Sequence, residues 1–480
     1  MKTTTAALAL VASIFAIPLG ARNVPNTASK PKVVSLSTQR KTISNPVKRD
    51  RLRRRDAIKA ELDNEETLYF VNGTLGTPPQ TVRMHLDTGS SDLWVNTPSS
   101  TLCSQTSEPC SFAGTYSANS SSTYGYVGSW FNISYVDGSG ASGDYVTDTI
   151  TIGETSLSDF QFGVGYKSTS EQGILGIGYS TNEVQVGRAG LEPYENLPMK
   201  MVSSGLTSRN AYSLWLNDLD ANLGSILFGG VDTAQYTGSL QTLPIQSNNG
   251  VFSEFMITLT SLTLGNTTIA SDKALAVLLD SGSSLTYLPN DMVEAIYDDV
   301  EAQYDTNQAA AYVPCSLQDE TDTLDFVFSG VKISVEMNEL VLDLVTANGR
   351  RPTFSNGVTA CLFGIAPAGS GTNVLGDTFL RSAYVVYDID NNEISLAQTN
   401  FNTTESNVQE IASGSSVPDA TAVSNPVAAT EGIVRGTSTG NGNAGLGDDE
   451  SAAATIVAIA SIPMLSMALP LGVAALLSVL

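Results

Sequence analysis

The chain has 480 residues, 24 of them basic and 48 acidic, for a formal net charge of −24, with four cysteines and a single histidine. One histidine, His85, cannot furnish a Ser-His-Asp triad, a Cys-His pair or an HExxH zinc site, so those hydrolase classes are excluded.

From the N-terminus, residues 1–21 read as a secretory signal: Lys2, the apolar stretch AALALVASIFAIPLG, then small residues Gly20 and Ala21 at a cleavage point. A transmembrane helix is the alternative, but the run is short for one. Residues 22–55 read as a pro-segment, with eleven Lys or Arg against Asp50 alone. Lys48-Arg49 and Arg53-Arg54-Arg55 are expected processing sites for a basic-specific protease or for the protein itself. A nucleic-acid patch is the other reading of such a run; behind a signal peptide it does not hold, and no nucleic-acid partner is expected. After Arg55 the chain carries 12 basic and 47 acidic residues, a balance of −35. A basic leader ahead of so acidic a body suggests electrostatic masking.

Residues 56–402 alternate short runs rich in Val, Ile, Thr, Tyr and Phe, such as TLYFVNGTLG, with Gly, Ser, Asn and Asp turns, the pattern of an all-β fold. Its size suits two lobes, 56–243 and 244–402. NDMVEAIYDDVEAQY is the clearest helix candidate. In the first lobe HLDTGSSDLWV places Asp87 in Asp87-Thr88-Gly89-Ser90. In the second, VLLDSGSSLTYL places Asp280 in Asp280-Ser281-Gly282-Ser283, 193 positions later.

Each motif delivers a carboxylate from a strand-like apolar run into a tight turn. Two carboxyls about 3 Å apart cannot both ionise, so they share a proton. The charged member can take a proton from water while the protonated one donates to a carbonyl. Neither a metal nor a cofactor is required. Gly89 and Gly282 permit backbone geometry that a side chain would resist, and Thr88, Ser90, Ser281 and Ser283 offer short donors to the carboxylates. Period-2 alternation puts His85 on the side of its strand that Asp87 occupies, where a packed, satisfied histidine is expected. Four cysteines allow three pairings. Sequons stand at Asn72, Asn119, Asn132, Asn266 and Asn402.

Beyond the lobes, residues 403–445 are rich in Ser, Thr, Ala, Asn and Gly and read as a flexible, O-glycosylated stalk. Residues 446–480 end in an uncharged run from Ile456 that no Lys or Arg follows and that two prolines interrupt. With small residues upstream this is the arrangement of a GPI-attachment signal removed in the mature protein, Asn443 being the expected attachment site and Gly442 or Gly445 equally suited.

Over residues 66–402 the chain resembles the pepsin-like aspartic proteases. Beyond the two Asp turns, the match includes NISYVDGSGASGDYVTDTI, which looks like the flap hairpin, with Tyr135 as the flap tyrosine, Trp94 as its indole partner and Asp137 where pepsin has a neutral residue. GILGIGY and NVLGDTFL look like the paired apolar-apolar-Gly elements Ile174-Leu175-Gly176 and Val374-Leu375-Gly376. The resemblance implies a bilobal fold with the site between related β lobes, Thr88 and Ser281 interlocking the turns, and Ser90 and Ser283 binding the outer carboxylate oxygens. It implies bridges Cys103–Cys110 and Cys315–Cys361, and leader cations lying across the cleft.

The leader, stalk and anchor signal further resemble yapsin-type GPI-anchored fungal proteases. That likeness implies a monomer tethered outside the cell, at the plasma membrane or cell wall, acting on peptide or protein substrates, possible cleavage at basic residues included. A non-catalytic cell-wall protein on the same scaffold is the alternative, but it would be expected to have lost an Asp, a turn Gly or the flap Tyr.

Overall fold

The computed structural model describes residues 32–44, 65–135, 139–221, 223–344 and 350–433. Strands dominate it, as the short β-branched and aromatic runs predict. Leu275–Leu279 is buried at every position, which is why it reads as an unbroken apolar run. Thr323–Phe328 and Val331–Glu336 alternate buried with partly exposed residues instead, the period of a sheet with one wet face. The expected helix forms over Asn290–Asp299, burying Met292, Val293, Ile296 and Tyr297 on one stripe. It stops short of its predicted end because Gln303–Asp305 pairs as a strand with Ala310–Pro314.

A sheet of fourteen strands links most of the first half to the end of the second. Gln80–Asp87 lies parallel to Gly173–Gly176, bringing Asp87 level with Gly176. In the second half Leu275–Leu279 lies parallel to Val374–Leu375, and the Asp280 N–H donates to the Leu375 carbonyl at 3.1 Å. The two apolar-apolar-Gly elements therefore flank the two Asp-bearing strands in the same way.

The boundary expected at 243/244 is crossed by this sheet. Ala383–Asp388 pairs with Ala211–Trp215, and Glu393–Thr399 pairs with Tyr236–Pro244. The last hairpin of the second half thus helps to form the floor between the halves, where Tyr212 and Tyr387 stack with centroids 4.9 Å apart. Each half keeps its own disulfide, Cys103–Cys110 and Cys315–Cys361.

At the N-terminal end of the described chain part of the leader joins the sheet, and at the C-terminal end the structure corrects the sequence reading. Val34–Ser44, inside the expected pro-segment, lies antiparallel to Leu223–Phe228 on one side and to Glu65–Leu75 on the other. Leu36 and Thr38 are buried there. Arg40 does not lie over the Asp turns: it pairs across to Tyr69 and stands within electrostatic reach of Arg381, Asp220 and Glu339. A strand hydrogen-bonded on both sides holds its backbone in the sheet, which leaves this part of the leader no reach to the cleft. Lys48-Arg49, Arg53-Arg54-Arg55 and the signal at 1–21 lie outside the described residues.

Residues 403–433, read as loose stalk, pack on the body instead. Val408–Glu410 pairs with Gly230–Asp232, and Ala420–Ala422 runs parallel to Tyr236–Pro244. Ile411 and Val417 join a buried cluster with Trp215, Tyr236 and Tyr384. Composition misleads here because two well-placed apolar residues and an open sheet edge are enough to hold a polar strap. Burying each such side chain stabilises by about 1.5–3 kcal/mol. The remaining stalk residues, Asn443 and the anchor signal lie outside the described residues.

Candidate active site

The two Asp turns meet at the floor between the halves, and their hydrogen bonds are near-copies. The Gly89 N–H donates to Asp87 Oδ1 at 2.8 Å and the Ser90 hydroxyl to Oδ2 at 2.6 Å. The Gly282 N–H donates to Asp280 Oδ1 at 2.7 Å and the Ser283 hydroxyl to Oδ2 at 2.7 Å. Each carboxylate is thereby fixed by one backbone and one side-chain donor, with its Oδ1 turned toward the other turn.

The turns are also locked to each other. The Thr88 hydroxyl donates to the Leu279 carbonyl at 3.0 Å and accepts from the Ser281 N–H at 2.9 Å. Reciprocally, the Ser281 hydroxyl donates to the Leu86 carbonyl at 3.0 Å and accepts from the Thr88 N–H at 3.2 Å. All four bonds are buried, so losing one partner would strand a polar group away from water.

The glycines have a different reason from the one expected of a tight turn. Neither Gly89 nor Gly282 is among the residues with positive φ. A Cβ on Gly89 would stand 2.5 Å from Asp280 Oδ1, and one on Gly282 would collide with Asp87 Oδ1 while lying 2.8 Å from Asp280 Oδ1. The two carboxylates converge on the same small space, and only residues without side chains leave it open. Asp87 is 3 % exposed and Asp280 8 %.

Above this floor, Gly125–Ser134 and Gly140–Ile152 form a hairpin whose end is closed by the Tyr135 N–H donating to the Ser139 carbonyl at 2.8 Å. The Trp94 indole N–H donates to the Tyr135 hydroxyl at 2.7 Å. Trp94 sits on Leu93–Asn96, which pairs with the same Gly173–Gly176 strand that flanks Asp87. Asp137 lies outside the described residues. His85 is fully buried, its ring 5.9 Å from that of Phe70.

Sequence reading missed the acids behind the first turn. Asp92 accepts from the Tyr145 hydroxyl at 2.6 Å, the Tyr194 hydroxyl at 3.0 Å and the Val184 N–H at 2.9 Å. Burial nevertheless pushes its carboxyl above the ordinary range. Beside it Glu183 accepts from the Tyr194 N–H at 2.8 Å, and among the described residues its Oε1 has no partner. Burial, followed by the charge of Asp92, raises its pKa to about 9. Asp92 was visible in SSDLWV beside Trp94, but nothing local marks Glu183, whose neighbours Asp92 and Tyr194 are brought to it by loops.

The five sequon asparagines are all exposed. Among the described residues the cluster of potential metal donors is Cys315, Asp343 and Cys361, and the disulfide takes both sulfurs.

Comparison with known proteins agrees with this geometry. The family model "Eukaryotic aspartyl protease" matches residues 68–399. The chain is 59 % identical over 406 residues to a "Probable aspartic-type endopeptidase opsB" of Aspergillus oryzae, covering 83 % of this chain and 82 % of that one. It is 39 % identical over 362 residues to Candidapepsin-3 of Candida albicans, covering 74 % and 85 % respectively. Among solved structures, the aspartic proteinase from Irpex lacteus superposes with a TM-score of 0.58 at 23 % identity, over 78 % of this chain and all of that one.

Proposed function

The chain belongs to the eukaryotic aspartyl proteases and is an aspartic-type endopeptidase acting on peptide or protein substrates, and from that premise we propose that Asp87 and Asp280 are its catalytic pair. The observation that carries the assignment is the duplicated set of hydrogen bonds, which holds each of two buried carboxylates by both oxygens and aims their Oδ1 atoms at one space.

With one proton shared between them, the ionised carboxylate takes a proton from a water as its oxygen attacks the scissile carbonyl carbon. The protonated one gives its proton to the carbonyl oxygen. A neutral tetrahedral diol results. The proton gained from water then passes to the amide nitrogen, a diol hydroxyl returns its proton to the pair, and the C–N bond breaks to a carboxylic acid and an amine. The pair ends as it began, and it titrates as a unit. Activity therefore falls once rising pH removes the shared proton. Tyr135, tied to Trp94, closes over substrate and excludes water. Thr88 and Ser281 hold the distance between the two carboxylates.

Asp87→Asn and Asp280→Asn should each lower kcat by roughly 10³-fold or more with the folded far-UV signal unchanged. Turnover retained by either variant would refute the pair.

The finer reading joins the acidic body to the ends of the chain. The protein is exported behind residues 1–21, processed in the basic run before residue 56, and held as a monomer by a GPI anchor outside the cell, at the plasma membrane or cell wall. A body of charge −35 after Arg55 draws cationic peptides, which supports cleavage next to Lys or Arg. Peptide-library profiling that returns only apolar residues around the cut would reject this preference.

A further inference from the structure

The strand that carries Asp280 has an acidic neighbour the mechanism does not use. Met256–Leu259 runs antiparallel to Leu275–Leu279, with Met256 opposite Leu278, and the Leu279 N–H donates to the Phe255 carbonyl at 3.1 Å. One residue before Phe255, at a bend where the Met256 N–H donates to the Glu254 carbonyl at 3.0 Å, the chain brings Glu254 alongside the Leu279–Asp280 end of this strand. The electrostatics agree: burial, followed by the charge of Asp280, holds the Glu254 carboxyl above its usual range.

The segment around Glu254 is rigidly held between the halves. Phe252 stacks on Tyr179, and its carbonyl accepts from the Thr181 hydroxyl at 2.6 Å. Phe255 packs edge-on against Tyr212 and Tyr387. Within these aromatic walls Glu254 is only half-buried, and among the described residues no ion pair includes it. A carboxylate that is set beside the catalytic floor, reached by solvent and given no cation by the described residues is arranged to receive one from outside.

An extended peptide advances about 3.3 Å per residue, so with its scissile bond at Asp280 a side chain within about two positions of the cut comes level with Glu254. We propose that Glu254 is a specificity-determining residue that binds the cationic side chain of a Lys or Arg placed there. The proposal rests on the preference for basic residues and names the side chain that confers it.

The test uses peptides that differ only by Lys or Gln at each of three positions on either side of a fixed cut. They are hydrolysed by the processed enzyme and by its Glu254→Gln and Glu254→Lys variants, with a matching set of Glu peptides added for the Lys variant. The Lys-to-Gln ratio of kcat/KM is formed within each enzyme, so any loss of folded protein cancels. At one position near the cut the wild type should favour Lys. Glu254→Gln should lower that ratio about tenfold, the discrimination expected of a charge-assisted contact, and Glu254→Lys should favour Glu over Lys there. A Lys preference that survives Glu254→Gln unchanged overturns the assignment while leaving the basic preference standing. Absence of any Lys preference in the wild type overturns both. If one variant gives no active enzyme, Glu254→Asp replaces it, with an intermediate ratio expected and an unchanged one counting against the proposal.

Discussion

The two Asp turns are near-copies, but the ground behind them is not. Five residues after Asp87, Asp92 is buried among tyrosine hydroxyls with Glu183 beside it, and among the described residues no ion pair includes either acid. Behind Asp280 the Ser283 carbonyl accepts from the Asp377 N–H at 2.8 Å, and one helical turn further Arg381 pairs with the fully buried Glu339. Burial alone would lower the Arg381 pKa, but the charges of Glu339 and Tyr69 raise it. The second half neutralises a buried acid with a cation; the first does so with hydroxyls and a retained proton. Symmetric chemistry at the cleft therefore rests on asymmetric electrostatics, and the halves should answer differently to pH.

The largest effect is expected where a buried charge would lose its partner. Glu339→Ala leaves Arg381 uncompensated and should cost about 3–5 kcal/mol in denaturant unfolding. A loss below about 1 kcal/mol would mean that Asp377 or water takes over.

The likeness of the turns can be broken one residue at a time. Thr88→Ala and Ser281→Ala each remove two buried hydrogen bonds and should each cost about 2–3 kcal/mol, nearly equally. If Ser281→Ala cost far less than Thr88→Ala, the lock would be one-sided.

The smallest effect separates the halves by pH. Burial raises the Glu183 pKa to about 9 from an ordinary value of 4.5, so from about pH 4.5 to 9 the unfolded chain releases a proton that the folded one keeps. Its contribution to stability is whole below that window and shrinks as pH rises, by up to about 1.4 kcal/mol per pH unit. Glu183→Gln should flatten this decline in urea titrations run at pH 5, 6 and 7. A variant that declines as steeply as the wild type would place the sensitivity in Asp92 or elsewhere.

Much of the site was legible in the chain itself. Asp87 and Asp280 each follow an apolar strand and precede Gly and a hydroxyl, and the paired apolar-apolar-Gly elements keep a matching spacing, because a duplicated local geometry needs duplicated local residues. Trp94 and Tyr135 were legible only through the resemblance of the flap stretch to the pepsin-like family. Glu183 and Glu254 were not: an acid on a polar stretch reads as surface until the fold sets Tyr194 or Asp280 beside it. The strap at 403–433 went unread because its composition describes a free chain, whereas its structure depends on the edge that Tyr236–Pro244 offers.

By itself the sequence determined the chemistry: two carboxylates in twin turns, a lone histidine, and strand periodicity for an all-β body. Only the tertiary structure decided which oxygens face each other, why Gly89 and Gly282 must lack side chains, where the leader strand and the strap lie, and which buried acids have a cation. Those properties depend on distances between residues far apart in the chain, and local periodicity and turn chemistry carry no record of such distances.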